Sequence, residues 1–260
     1  MRRAGLVVER ALSAVQAEVR PGITTGELDA VAAEVIASAG ASPSFLNYGA
    51  APDGTGGFTG VICASPNEVI VHGIPGDRVL NEGDIISIDC GAIVDGWHGD
   101  AARTFTVGAV DEKVAGLVRT TEAAMWNGIA AARLNGRVAD ISAGVEDGSG
   151  SYGIVSEFVG HGIGSAMHQP PDVHNYRVRG RTPRIVPGLA LAVEPMLTLG
   201  SPENVTLDDE WTVRTVDGSW AAHWENTMTV TERGIWVLTA ADGGEEMLNR
   251  LGAPFGPLAD

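Results

Sequence analysis

Cysteine is nearly absent from this chain: Cys63 and Cys90 are its only two. Two thiols cannot make a disulfide framework, and they fit a reducing, cytoplasmic compartment. Long apolar runs are missing too. No stretch approaches the ~18 residues that span a bilayer. Glu9 and Arg10 interrupt the apolar start too early for a signal peptide. Basic residues are scarce: 17 Lys and Arg stand against 33 Asp and Glu, a net charge of −16. Such a surface repels phosphate backbones and anionic lipid, which argues against DNA or a membrane as the main partner. One local exception is Arg177, Arg179, Arg181 and Arg184, which read either as a solvated loop or as an RNA or ribosome contact. No Pro/Ser-rich linker divides the 260 residues, so a single domain over 1–260 is expected.

Glycine, in contrast, is plentiful, at 35 residues, and implies many turns and close backbone approaches. Ala4, Val8, Ala11, Leu12, Val15 and Val19 form one helical stripe. Thr24 and Glu27 make a capping box for a second helix that ends near Gly40. Short β-branched runs follow at 61–63 and 69–71. A long hairpin is expected from Asp84 to Val107, turning at Asp95-Gly96. Helices are expected over 111–134 and 138–147. Strands are expected at Val155–Val159, Leu189–Val193, Trp211–Val216, Ala221–Val230 and Ile235–Leu238. The order helices, strands, helices, strands predicts an α+β fold with two similar halves around one central sheet.

Four constellations carry chemistry. With the hairpin turn at Asp95-Gly96, residue 94 faces 97, 91 faces 100 and 89 faces 102. Asp89 and Asp100 then share one face of the sheet. A lone buried Asp is more often structural, but two like charges on one face make a cation site an equal alternative. His161 lies within Gly160-His161-Gly162-Ile163-Gly164, where bare backbone would leave room for a ligand; His168 follows. Glu194 ends an apolar strand, and Glu225 sits in another; solvent-facing strand Glu is the plain alternative for the latter. Together, four carboxylates and one imidazole would be neutralised by two divalent cations. Oxygen-rich ligation with one His suits Mn²⁺, Fe²⁺ or Co²⁺, and Zn²⁺ less specifically. Two such metals can bridge a water, lower its pKa and polarise a carbonyl. Spacing alone does not establish this, because the ligands are dispersed along the chain.

The order of segments adds to it. Asn67-Glu68-Val69-Ile70-Val71-His72-Gly73-Ile74-Pro75, Gly83-Asp84-Ile85 to Asp89, His98-Gly99-Asp100, Gly160 to Gly164, Glu194-Pro195-Met196 and Trp224-Glu225 resemble the methionine aminopeptidases of the pita-bread (creatinase/aminopeptidase) fold. The likeness runs from about Gly5 to Thr239. It implies pseudo-symmetric halves around a curved antiparallel sheet with helices on the outer face. It also implies a dinuclear metalloenzyme that removes initiator methionine from nascent peptides with a small second residue, a metal-bridging water or hydroxide attacking the first peptide bond. By resemblance, Asp89 binds one metal, Asp100 and Glu225 bridge both, and His161 and Glu194 complete the second. His72 and His168 contact the substrate and stabilise the tetrahedral intermediate, and Glu194 doubles as proton shuttle. Tyr48, Phe58, Cys63, Met167 and Trp211 line the methionine pocket. A monomer is implied, and transient ribosome contact is left open. The 33 positions from His161 to Glu194 match the type I, bacterial form.

Departures from the pattern are an Asp53–Gly57 insertion, Met167 where Phe is common, Asn226 where His is frequent, and a start inside what is usually the first helix, which raises the question of an upstream start codon. Three other readings compete: a Cys or Ser hydrolase using Cys63 and His72, an X-Pro aminopeptidase or prolidase of the same fold, and a non-catalytic binding protein. A Cys or Ser hydrolase leaves the four carboxylates without a use. A prolidase usually carries a further N-terminal domain, and a binding protein of this fold would have lost ligands.

Overall fold

A computed structural model describes residues 1–258. Helix α1 (Arg2–Glu18) buries Ala4, Val8, Ala11, Leu12 and Val15, the stripe seen in the sequence. Helix α2 (Thr25–Ser38) starts at the expected box, with the Thr24 side chain accepting from the Glu27 amide. Both pack with the strands Ile62–Pro66, Ile85–Val94 and Trp97–Thr106 around one apolar cluster. Helices α3 (Glu112–Ala131) and α4 (Val138–Gly148) repeat the arrangement in the second half. Their cluster includes Leu191, Val193, Met228, Val230 and Val237 of an antiparallel five-stranded sheet. Asp111 caps α3 by accepting from the Lys113 amide. Two helices and a sheet in each half make the fold α+β, with all strand pairings antiparallel among the described residues.

The hairpin has the register derived from its turn: Val94 faces Trp97, Gly91 faces Asp100 and Asp89 faces Ala102. The two halves join at its second strand. The Glu225 amide donates to the Ala102 carbonyl at 2.8 Å, and the Ala102 amide donates back at 3.3 Å. Beside this pair, the Asp100 amide donates to Thr227 Oγ1 at 3.1 Å, and that hydroxyl donates to the Asp100 carbonyl at 2.8 Å.

Elsewhere the strand pattern differs from expectation. Val155–Val159 is not a strand; Gly153–Ile154 and Gly160–Gly162 flank it. Its backbone is held instead by irregular contacts: the Val155 amide on the Met196 carbonyl and the Asn175 amide side chain on the Phe158 carbonyl. The single strand expected over 221–230 is two, Ala221–His223 and Asn226–Val230, interrupted at Trp224-Glu225. Gln169–Val173, Met196–Thr198 and Asn204–Thr206 are further strands, and Glu245–Arg250 forms a short helix. No described helix is long and apolar enough to cross a membrane. In the arginine-rich segment, Arg177 is paired with Glu146 and Asp147, and Arg184 donates to the Asn135 carbonyl.

Candidate active site

The five ligand-type side chains come from three strands and two strand ends and meet at one cavity of about 510 Å³. Asp89 and Asp100 arrive on one face of the hairpin. His161 comes from Gly160–Gly162. Glu194 follows Ala190–Val193, and Glu225 fills the break before Asn226–Val230. Asp100, His161 and Glu225 each offer an atom within 4.8 Å of the others. His161 Nε2 lies 3.9 Å from Asp100 Oδ2 and 3.4 Å from Glu194 Oε1.

This arrangement is electrostatically incomplete as a set of side chains. Asp89 Oδ1, Asp100 Oδ1 and Glu225 Oε1 are buried with no hydrogen-bond partner. Such orphaned acceptors are rare in folded proteins, because each forfeits its hydration without compensation. Among the described residues, no Lys or Arg lines the cavity. Burial pushes the Asp89 carboxyl up to about 7. Burial and then the neighbouring carboxylates push Asp100, Glu194 and Glu225 up. His161 supplies no compensating charge: burial, then His168, lowers it to about 4. Its Nδ1 is 3.0 Å from the Gly162 carbonyl, so Nδ1 carries the hydrogen and Nε2 turns a lone pair toward two carboxylates. A lone pair facing carboxylates is repulsive unless a proton or a metal cation lies between them. The orphaned oxygens and the imidazole lone pair therefore fit divalent metal, with the mixed oxygen and nitrogen set suited to first-row ions.

The glycines around His161 serve a different purpose from the one expected. A Cβ on Gly160 would lie 2.3 Å from the Ala192 carbonyl oxygen, and one on Gly162 would lie 2.3 Å from that of Pro170. They admit neighbouring backbone rather than leaving space for a ligand, and so bring His161 close to Glu194.

His72 and His168 both line the cavity. Burial and His168 lower His72 to about 4, and burial lowers His168. His72 holds a positive φ of 59°, an uncommon conformation for a side-chain-bearing residue and one that gathers at functional sites. Phe58, Cys63 and Met167 form a buried cluster with Trp211 against it; Phe45 and Ile74 complete it and were not anticipated. Tyr48 stands at the rim, 40% exposed. Burial, then Asp89, pushes the Cys63 thiol well up, the reverse of the activation a cysteine nucleophile needs. Asn226 is engaged structurally: its side chain accepts from Thr239 Oγ1 and donates to Met125 Sδ.

Sequence reasoning missed His223. It is buried, its Nε2 has no partner, and the nearest carboxylate is Glu194 Oε2 at 3.7 Å. Burial and His72 lower it to about 3. Its neighbour Glu225 was singled out, but nothing local in Ala221-Ala222-His223 marks the His.

A pH test follows from these shifts. In metal-free protein the raised carboxyls hold protons that the unfolded chain has released above about pH 4. Their stability contribution is present below that value and is lost as pH rises through the folded pKa. The lowered histidines act oppositely, but only up to their unfolded pKa near 6.5. Metal-free protein is therefore expected to lose Tm as pH rises above about 6.5, where the histidines no longer oppose the carboxyls, and divalent cation to abolish most of that slope. Equal slopes with and without cation, by scanning calorimetry, would contradict the coupling of these carboxyls to metal.

Fold and site together define a metal-dependent peptidase of the pita-bread class. A model described as Metallopeptidase family M24 matches residues 1–232, and the chain belongs to that family. It is 46% identical over 248 residues to methionine aminopeptidase 1 of Mycobacterium tuberculosis, covering 92% of this chain and 91% of that one. It is 44% identical over 245 residues to the methionine aminopeptidase of Clostridium acetobutylicum, covering 93% and 95%. The crystal structure of methionine aminopeptidase from Thermotoga maritima superposes with a TM-score of 0.87 at 36% identity, over 92% of this chain and 94% of that one. Prolidase from Pyrococcus furiosus shares the fold at 21% identity and TM-score 0.71, but this chain covers only 62% of it.

Proposed function

We infer that this protein is a methionyl aminopeptidase, a metal-dependent hydrolase that removes initiator methionine from nascent proteins and peptides with a small second residue. The observation that carries the reading is the cavity itself. Its floor is the cluster of orphaned carboxylates, and its wall is the sulfur-and-aromatic group Phe58, Cys63, Met167 and Trp211.

Asp89, Asp100, His161, Glu194 and Glu225 would hold two divalent cations. Co²⁺, Mn²⁺ and Fe²⁺ suit the donors, and Zn²⁺ is also accommodated. When bound, such ions polarise the peptide carbonyl and make water a stronger acid. Glu194 takes the proton of the attacking water and returns it to the leaving amine. His168 donates a hydrogen bond to the carbonyl oxygen as it gains charge, and His72 orients the peptide bond. The whole chain 1–260 works as one catalytic domain, a monomer of the cytoplasm. Arg177 and Arg184 are occupied within the fold, which favours the solvated-loop reading of that segment over ribosome contact.

The test is release of methionine from Met-Ala-Ser against Xaa-Pro-Ala by metal-stripped enzyme reloaded with each cation. Chelation should abolish activity, and reloading should restore it on the first substrate only. Side-chain choice gives a further prediction. Shape must discriminate in an apolar pocket, where one misplaced methyl is worth only ~1–3 kcal/mol. Sulfur–aromatic contacts add ~0.3–1.5 kcal/mol for a thioether. kcat/KM for Met-Ala-Ser should exceed that for Leu-Ala-Ser by roughly 10–200-fold, with unbranched norleucine between them. Equal rates for all three would remove the methionine assignment and leave the metallopeptidase one.

A further inference from the structure

Tyr48 does more at the rim than shape it. Its hydroxyl is 2.6 Å from His168 Nδ1, and the two rings meet edge-on with centroids 5.3 Å apart. The backbone fixes this placement from both sides. The Tyr48 amide donates to the Phe45 carbonyl at 2.8 Å, and the Tyr48 carbonyl accepts from the Phe58 amide at 3.0 Å. The adjoining Asn47 amide donates to the Phe58 carbonyl at 2.7 Å. The Asp53–Gly57 insertion is thereby clasped at its base, and the residue beside the clasp is aimed at His168. Gly49, with φ +73°, seats the turn against Trp211, whose ring would lie 3.1 Å from a Cβ there.

We propose that Tyr48 is a positioning residue that selects the tautomer of His168. An imidazole has one hydrogen to place while neutral, and its two nitrogens then have opposite roles. If Nδ1 carried the hydrogen, Nε2 would present a lone pair, and this ring could not stabilise a developing oxyanion. A phenol can donate or accept; here the Tyr48 O–H is assigned as donor to Nδ1, which places the hydrogen on Nε2 and makes a donor available before the substrate arrives. The arrangement is electrostatic preorganisation by a residue that need not touch the reacting atoms. It rests on the role given above to His168.

The test is a double-mutant cycle on metal-loaded enzyme with Tyr48→Phe, His168→Ala and the pair. Tyr48→Phe keeps the ring against His168 and deletes one hydroxyl. It should lower kcat about tenfold, the worth of one hydrogen bond to a group meeting charge, with KM changed less than about twofold. Calorimetric affinity for a phosphonate analogue of Met-Ala, a tetrahedral mimic, should fall by the same factor as kcat, while affinity for methionine holds. In the His168→Ala background, Tyr48→Phe should cost nothing further. A tenfold loss that persists in that background, or an unchanged kcat in Tyr48→Phe, overturns the proposal. An unchanged kcat in His168→Ala alone removes the role of His168 first, and the proposal with it, so the two failures are told apart.

Discussion

Glu194→Gln should lower kcat by about 10²–10⁴-fold, the range for a positioned group that moves a proton in the transition state. The substitution is nearly isosteric, and its amide cannot take a proton from water. Glu194 follows strand Ala190–Val193, whose neighbouring backbone reaches His161 only because Gly160 has no side chain. Its Oε1 faces His161 Nε2 at 3.4 Å, and its Oε2 is the nearest carboxylate oxygen to His223. The variant also loses one negative charge from the carboxylate cluster, so bound metal must be measured alongside turnover. At saturating cation, with full metal content, the loss should remain. Turnover near the parent rate under those conditions would take the proton-transfer role away from Glu194.

His168→Ala is the second large effect. One preorganised donor to a developing oxyanion is worth about 10²–10³ in kcat. His168 lines the cavity with its ring 4.3 Å from that of His161, and the role given to it above is hydrogen-bond donation, not metal binding. The loss should therefore appear in kcat more than in KM, with bound metal unchanged by elemental analysis. Lost metal together with lost rate would make His168 a support for His161 instead.

The legible parts of this molecule were those fixed by local chemistry. Asp95-Gly96 pinned the hairpin turn, and period-two alternation then placed Asp89 and Asp100 on one face without further information. Thr24 and Asp111 announced their helices by the hydrogen bonds they now make. The failures were non-local. Val155–Val159 has strand-like residues, but its bond to the neighbouring strand stops at Val155 on the Met196 carbonyl, and propensity alone does not extend a ladder. Glycines at 160 and 162 looked like open space because the strands that fill it lie on other stretches of the chain. His223 and Phe45 joined the site through tertiary placement alone. The roles of the five ligands came from a resemblance; only the hairpin pair could be placed by geometry from the sequence itself.

The reciprocal Ala102–Glu225 backbone bonds, flanked by the Thr227 hydroxyl on Asp100, join the two halves at the point where charge is most concentrated. A slip of one residue along this seam would turn Asp100 to the helix side or carry Glu225 away from it. Misaligned chains would then lack a complete ligand set and would bind cation weakly. Because a ligand stabilises only the form that binds it, cation in the cell would draw the population toward the correctly spliced chain. Bound cation would thus select the aligned seam as well as serve the reaction.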